Sequence, residues 1–193
     1  MSNEILKKSL LDRTVNLLRK NIKTIFVLLA VTFILLFSIL FYNYVESKNN
    51  IKTAEQYSQA LILIKQKKIN ESKKILENII NEDHKFYSPL ALYIIIQNNI
   101  EPNTKKVINF FDKILKINFI DKENLNLIKI KKDIYLINLD KENQVIKTLN
   151  PIINSSSVWN NTAINLISEY FTSKGQQSKA DEYINLLSGK IKN

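Results

Sequence analysis

The sequence predicts an all-α protein: a single N-terminal transmembrane helix followed by a short α-solenoid of about four helical hairpins. Three observations carry this. The eighteen residues Ile25 to Tyr42, IFVLLAVTFILLFSILFY, contain no charge, and only Thr32 and Ser38 interrupt the apolar run. From residue 54 onward the apolar residues recur at spacings of three and four, the period of a one-faced helix. Gly occurs twice and Pro three times in 193 residues, too few turn residues for the many short strands of a sandwich.

At about 1.5 Å rise per residue the apolar run spans roughly 27 Å, and Thr24, Asn43 and Tyr44 extend it to the ~30 Å core of a bilayer. It is apolar on every side, so its neighbour is lipid, where a helix satisfies its backbone internally. A cleaved signal peptide has a shorter core, about 7 to 15 residues, and a small-x-small exit; here the run leaves through Tyr42, Asn43, Tyr44 and Val45. Lys7, Lys8, Arg13, Arg19, Lys20 and Lys23 precede the run, and Lys48 and Lys52 follow it. That asymmetry keeps the N-terminus cytoplasmic. The expected organisation is a cytoplasmic basic segment (1–23), a spanning helix (24–45) and one extracytoplasmic domain (46–193).

The net charge is +10, of which +4 lies in the first 23 residues: six Lys or Arg against Glu4 and Asp12. The remaining +6 is scattered Lys in a chain rich in Ile and Asn, which is a poor phosphate-binding surface, and no nucleic-acid partner is expected. With no Cys in the chain, disulfides, thiolate nucleophiles and Cys-based metal sites are excluded.

Residues 4–20 place Leu6, Leu10, Val15, Leu17 and Leu18 at near-helical spacing, predicting a short basic amphipathic helix. After the anchor, Lys48, Asn49 and Asn50 make a polar exit, and Ala54, Tyr57, Ala60, Leu61 and Ile64 line one face of a helix. A tight link at Lys67 and Lys68 leads to a second helix with Ile75, Leu76, Ile79 and Ile80 inward and Asn70 as its cap. Ser88 with Pro89 just inside predicts the next start, and the helix ends before Pro102. Asn103 or Thr104 opens KKVINFFDKILK. A third pair begins near Asp121, carries Leu125, Ile128, Ile134 and Leu136, turns at Leu139 and Asp140, and stops at Pro151. The last pair starts around Ser157 to Trp159, turns at Lys174 and Gly175, and ends near Leu187. All three prolines fall at predicted boundaries.

Paired helices at this period invite comparison with the tetratricopeptide unit, in which small residues stand where the two helices cross. In the last pair Ser168 and Ala180 fall at the two crossing positions, with Phe171, Gly175, Ile184 and Leu187 also in register; in the first, Ala60 and Ser72 do so. In the middle pairs Val107 and Val145 replace the second small residue. Ser72, Val107, Val145 and Ala180 are still 35, 38 and 35 residues apart, near the ~34 of that repeat.

YSPLALYIII (Tyr87 to Ile96), IYLINLDKENQVIKTLNPI (Ile134 to Ile152) and VWNNTAINLISEYFTSKGQQSKADEYINLL (Val158 to Leu187), behind an N-in anchor, resemble the bacterial inner-membrane tetratricopeptide-like family of YfgM, the ancillary subunit of the SecYEG translocon. The paucity of Ala and Gly in the middle units and the Lys-rich surface depart from that pattern. The resemblance implies a single-pass protein of the inner membrane with a periplasmic domain. Its implied partners are SecYEG, periplasmic chaperones and exported chains.

Nothing in the sequence points to catalysis or to a cofactor. His84 is the single histidine, beside Glu82 and Asp83 in a link, and reads as a solvated turn rather than a metal site. Ser155 to Ser157 lacks a nucleophile elbow and a base, and no phosphate-cradling or dinucleotide motif is present. The expected activity is therefore that of a tethered protein-interaction adaptor. The alternative is a tetratricopeptide-type scaffold for envelope assembly or cell division. Tyr57, Leu61, Tyr93 and Trp159 are the candidate partner-contacting residues, with packing the favoured role for Trp159, a lone Trp at a helix start.

Overall fold

A computed structural model describes residues 21–118, 120–139 and 141–191. The amphipathic segment expected over 4–20 lies outside these residues, as does Asp140 of the expected turn. Among the described residues there are helices and no strands. In chain order they are α1 (Ile22–Lys65), α2 (Ile69–Asn81), α3 (Tyr87–Gln97), α4 (Thr104–Ile114), α5 (Lys122–Ile137), α6 (Glu142–Ile153), α7 (Asn160–Ser173) and α8 (Gln177–Ile191).

The chain divides into two compact units, Met1–Lys52 and Thr53–Asn193. In the first, α1 carries a stretch of mean hydropathy 2.9 with none of it buried, long and apolar enough to cross a membrane. Its two hydroxyls are turned back onto their own helix. Thr32 Oγ1 donates to the Leu28 carbonyl and Ser38 Oγ to that of Ile34, each at 2.8 Å, so neither presents an unsatisfied donor to its surroundings. The polar exit at Lys48, Asn49 and Asn50 does not end the helix, because no Gly or Pro stands between Ile25 and Lys65 to stop it.

The second unit holds two half-cores. Ala60, Leu76, Ile79, Leu92, Ile95, Phe111, Ile114 and Ile128 belong to the first; Ile130, Leu136, Val145, Leu149, Ile164, Ile167, Phe171 and Ala180 belong to the second. The division runs through α5. Ile128 and Ile130 are about 200° apart on a helix turning 100° per residue, so α5 buries opposite faces in opposite halves. That is why its inward set does not follow a single stripe: Asn126 and Asp133 are buried, whereas Ile134 is 48% exposed.

Several helix ends differ from the sequence reading. Asn70 does not cap α2; the helix begins at Ile69 after Lys68, with no side-chain cap. Ser88 lies inside α3, its buried hydroxyl donating to the Ile79 carbonyl at 2.8 Å. The capping acceptor is His84, whose Nδ1 receives the Phe86 and Tyr87 amides at 3.2 and 3.1 Å, so the turn histidine has a structural task. Pro151 lies within α6, which runs on to Ile153; in the last turn its missing amide removes only one ladder bond. Asn103, one of the two residues expected to open α4, caps it by accepting from Lys106 N at 3.2 Å, and Asp121, near which the third pair is expected to begin, caps α5 by accepting from Asn124 N at 2.9 Å. The final helix passes Leu187 and ends at Ile191.

Among the described residues, four chain reversals use a left-handed residue, one of them glycine: Lys67 (φ 61°), Asp83 (φ 54°), Asn99 (φ 50°) and Gly175 (φ 71°). At Lys67, Asn99 and Gly175 the bonds are those of a Schellman motif. Lys68 N reaches the Leu63 carbonyl, Ile100 N that of Ile95, and Gln176 N that of Phe171, each at 2.9 Å.

Candidate partner-binding site

Among the described residues, no three His, Cys, Asp or Glu side chains converge to hold a metal ion. What the second unit does offer is a cleft of about 380 Å³ between α3 and the start of α5. Pro89, Leu90 and Tyr93 form one wall, Asn124, Leu127 and Ile128 the other, and Phe86 and Ile120 close the end. The walls are held by the half-core behind them, since Leu92 and Ile95 of α3 and Ile128 of α5 belong to one buried cluster.

The rim is polar. Lys131 Nζ lies 4.5 Å from the Tyr93 ring centroid, a cation over an electron-rich face. Burial pushes the Tyr93 phenol up to about 12, so the ring is neutral under ordinary conditions. Lys85 stands at the same mouth. Asp121 also borders it, but its carboxylate is engaged in capping α5, and the backbone amide of Asn124 holds its carboxyl below the usual range. The rim therefore presents cations and a spoken-for anion around an apolar floor.

Of the residues singled out by sequence, Tyr93 lines the cleft itself. Tyr57 packs against Tyr87 with centroids 5.6 Å apart, and Tyr87 meets Phe86 edge-on at 5.0 Å; Tyr57 thus reaches the cleft through two rings rather than lining it. Burial, and then the Tyr87 phenol, raise its own phenol above the ordinary value. Leu61 is half-buried on α1 and does not line the cleft. Trp159 packs against the other half-core, at the start of α7.

Sequence reasoning did not single out Phe86, which is 60% exposed at the cleft's end; an aromatic in the otherwise polar link EDHKFY was the available signal. It took Ser157 only as the start of the last pair, without a nucleophile elbow or a base. The hydroxyl instead donates to Glu123 Oε2 at 2.6 Å and accepts from Asn126 Nδ2 at 3.1 Å and Trp159 N at 3.2 Å. A serine oxygen so committed ties the α6–α7 link to α5 and is not a free nucleophile. Asn160, buried, donates its amide to the carbonyls of Ile152 and Ser155 at 3.2 and 3.1 Å, closing the end of α6. Comparison with protein-family models, curated proteins and solved structures finds no match to this chain.

Proposed function

We propose that this chain is a membrane-anchored protein-interaction adaptor, its helices forming a short tetratricopeptide-like solenoid, its N-terminus cytoplasmic and its C-terminal domain in the periplasm. The observation that carries the reading is the apolar cleft between α3 and α5, ringed by Lys85 and Lys131. An apolar site with a cationic rim suits a segment of another protein that inserts one or two large apolar side chains and carries an acidic residue beside them. The exposed apolar stretch of α1 supplies the anchor, and confinement to a membrane surface raises the effective concentration of the cleft for chains emerging there. The Lys-rich flank before the apolar run supports the orientation.

The resemblance to the YfgM family narrows the proposed partners to SecYEG, the chains it exports and the periplasmic chaperones that receive them. No enzymatic role is proposed. The test is crosslinking in native membranes, with a photoreactive residue replacing Phe33 in α1 and another replacing Leu90 at the cleft. Adducts with translocon subunits or exported chains are expected. Adducts confined to division or peptidoglycan-synthesis proteins would replace the adaptor by an envelope scaffold.

A further inference from the structure

The first and last hairpins cross in the same way with their residues exchanged. Ser72 of α2, fully buried, donates Oγ to the Ala60 carbonyl of α1 at 2.9 Å, and Ser168 of α7 donates Oγ to the Ala180 carbonyl of α8 at 3.1 Å. In both, the partners are 12 residues apart. At the same sequence spacing in the second hairpin stand Ile95 and Val107, both apolar and buried. In the third stand Asp133 and Val145; the Asp133 side chain is 0% exposed, and its two carboxyl oxygens receive no hydrogen bond.

The surroundings offer a carboxylate little. On α5 itself, Lys129 and Lys132 are the charges that act on Asp133, but Lys132 Nζ is held by Asp112 of α4 at 2.6 Å. From α6 the facing group is the Thr148 hydroxyl, close enough to favour the carboxylate somewhat, but its proton goes to the Gln144 carbonyl at 2.9 Å. The charged residues of α6 are Glu142, which pairs with Lys179 at 3.4 Å, and Lys147, which is exposed, as is Glu169 of α7. An ionised group in that position would be desolvated with only partial compensation, whereas the neutral acid carries no charge to desolvate.

We propose that Asp133 stands in the fold as a neutral, protonated acid, and that its deprotonation loosens α5 from α6, making this crossing a proton-operated joint inside the second half-core. Consistent with this, burial pushes the carboxyl up to about 8, Lys132, Thr148 and Lys129 offsetting only part of the effect. The folded chain holds this proton more tightly than the unfolded one. Stability is therefore greatest at low pH and falls as pH rises through the window from the ordinary carboxylate value of 3.8 to about 8.

The test uses the full chain in detergent micelles. For one proton the unfolding constant rises up to tenfold per pH unit inside that window. Relative to Asp133→Asn and Asp133→Ser, the wild type should lose stability steadily between about pH 5 and pH 8, and its α5 and α6 amides should lose hydrogen-exchange protection before those of α7 and α8. Infrared spectroscopy of Asp-labelled wild type near pH 6 should show a carboxylic-acid band that Asp133→Asn lacks. Parallel pH profiles for wild type and both variants would overturn the proposal, as would uniform loss of protection across the helices. If the variants do not fold, a wild-type spectrum showing carboxylate alone overturns it.

Discussion

Glu101→Gln should destabilise the chain by about 2 to 3 kcal/mol at neutral pH, with a loss that shrinks in acid. Glu101 follows the left-handed turn at Asn99, its side chain 4% exposed. Oε1 accepts the Asn103 amide at 2.9 Å, while Oε2 takes Lys73 Nζ at 2.9 Å and Lys106 Nζ at 3.2 Å. The backbone amide first, and then the two lysines, hold the carboxyl down at about 2 against burial, which opposes them. Holding it that far below its ordinary 4.5 corresponds to about 3 kcal/mol, at roughly 1.4 kcal/mol per pH unit. Some of that is screened, because the lysine side chains are 28% and 38% exposed. With the folded value depressed, the stabilisation is fully present above pH 4.5 and is lost as pH falls towards 2. Denaturant titrations followed by circular dichroism should show the gap between wild type and variant constant from pH 7 to about 5 and near half that size by about pH 3. Equal midpoints at pH 7, or a gap indifferent to acid, would refute the account of this cluster.

Four further substitutions probe the backbone and the crossings. Lys67 occupies φ 61° and Gly175 φ 71°, with nothing within 4 Å of a Cβ built on the glycine; Lys67→Gly should therefore raise stability by about 0.5 to 1 kcal/mol and Gly175→Ala lower it by about 1 kcal/mol, both read from denaturation midpoints. Ser72→Ala should cost about 1 kcal/mol for the lost bond to Ala60, whereas Ser72→Leu, forced into the closest approach of α1 and α2, should cost more, about 1 to 3 kcal/mol. If the leucine variant were as stable as the alanine one, the crossing would not be tightly packed.

Most of the helices were legible because their signals are local. Asn103 and Asp121 announce caps, Gly175 announces a reversal, and the apolar spacing of α2 and α7 leaves one reading of which face is buried. The misreadings share a physical origin, that a residue's local preference was overruled by a partner distant in sequence. Ser88 has the chemistry of a cap, yet its hydroxyl serves the end of α2 and leaves the capping to His84. Lys67 and Asp83 have no preference for positive φ and take it because the chain must turn there. In α5 the single-stripe assumption failed because the helix is buried on two sides, which makes Asp133 inward and Ile134 outward. The cleft was half legible: Tyr93 stood out as an aromatic, but Leu127 and Phe86 become its neighbours only when α5 packs beside α3.

The same two-sided burial gives α5 its place in the proposed activity. Its first turns supply Asn124, Leu127 and Ile128 to the cleft, and its later turns supply Ile130, Asp133 and Leu136 to the junction with the second half-core. A partner segment seated in the cleft fixes α5 against α3; a proton on Asp133 fixes it against α6. Both act on the position of one helix of sixteen residues, so under the two proposals they are linked, and linkage of binding free energies is reciprocal. A partner that prefers α5 docked on both sides tightens the hold on the Asp133 proton by the factor by which that proton tightens the partner. An adaptor made this way would release its segment as the junction deprotonates, while Tyr93, whose phenol is pushed up to about 12, stays neutral and Asp121, held below the usual carboxylate range, stays ionised in the cleft.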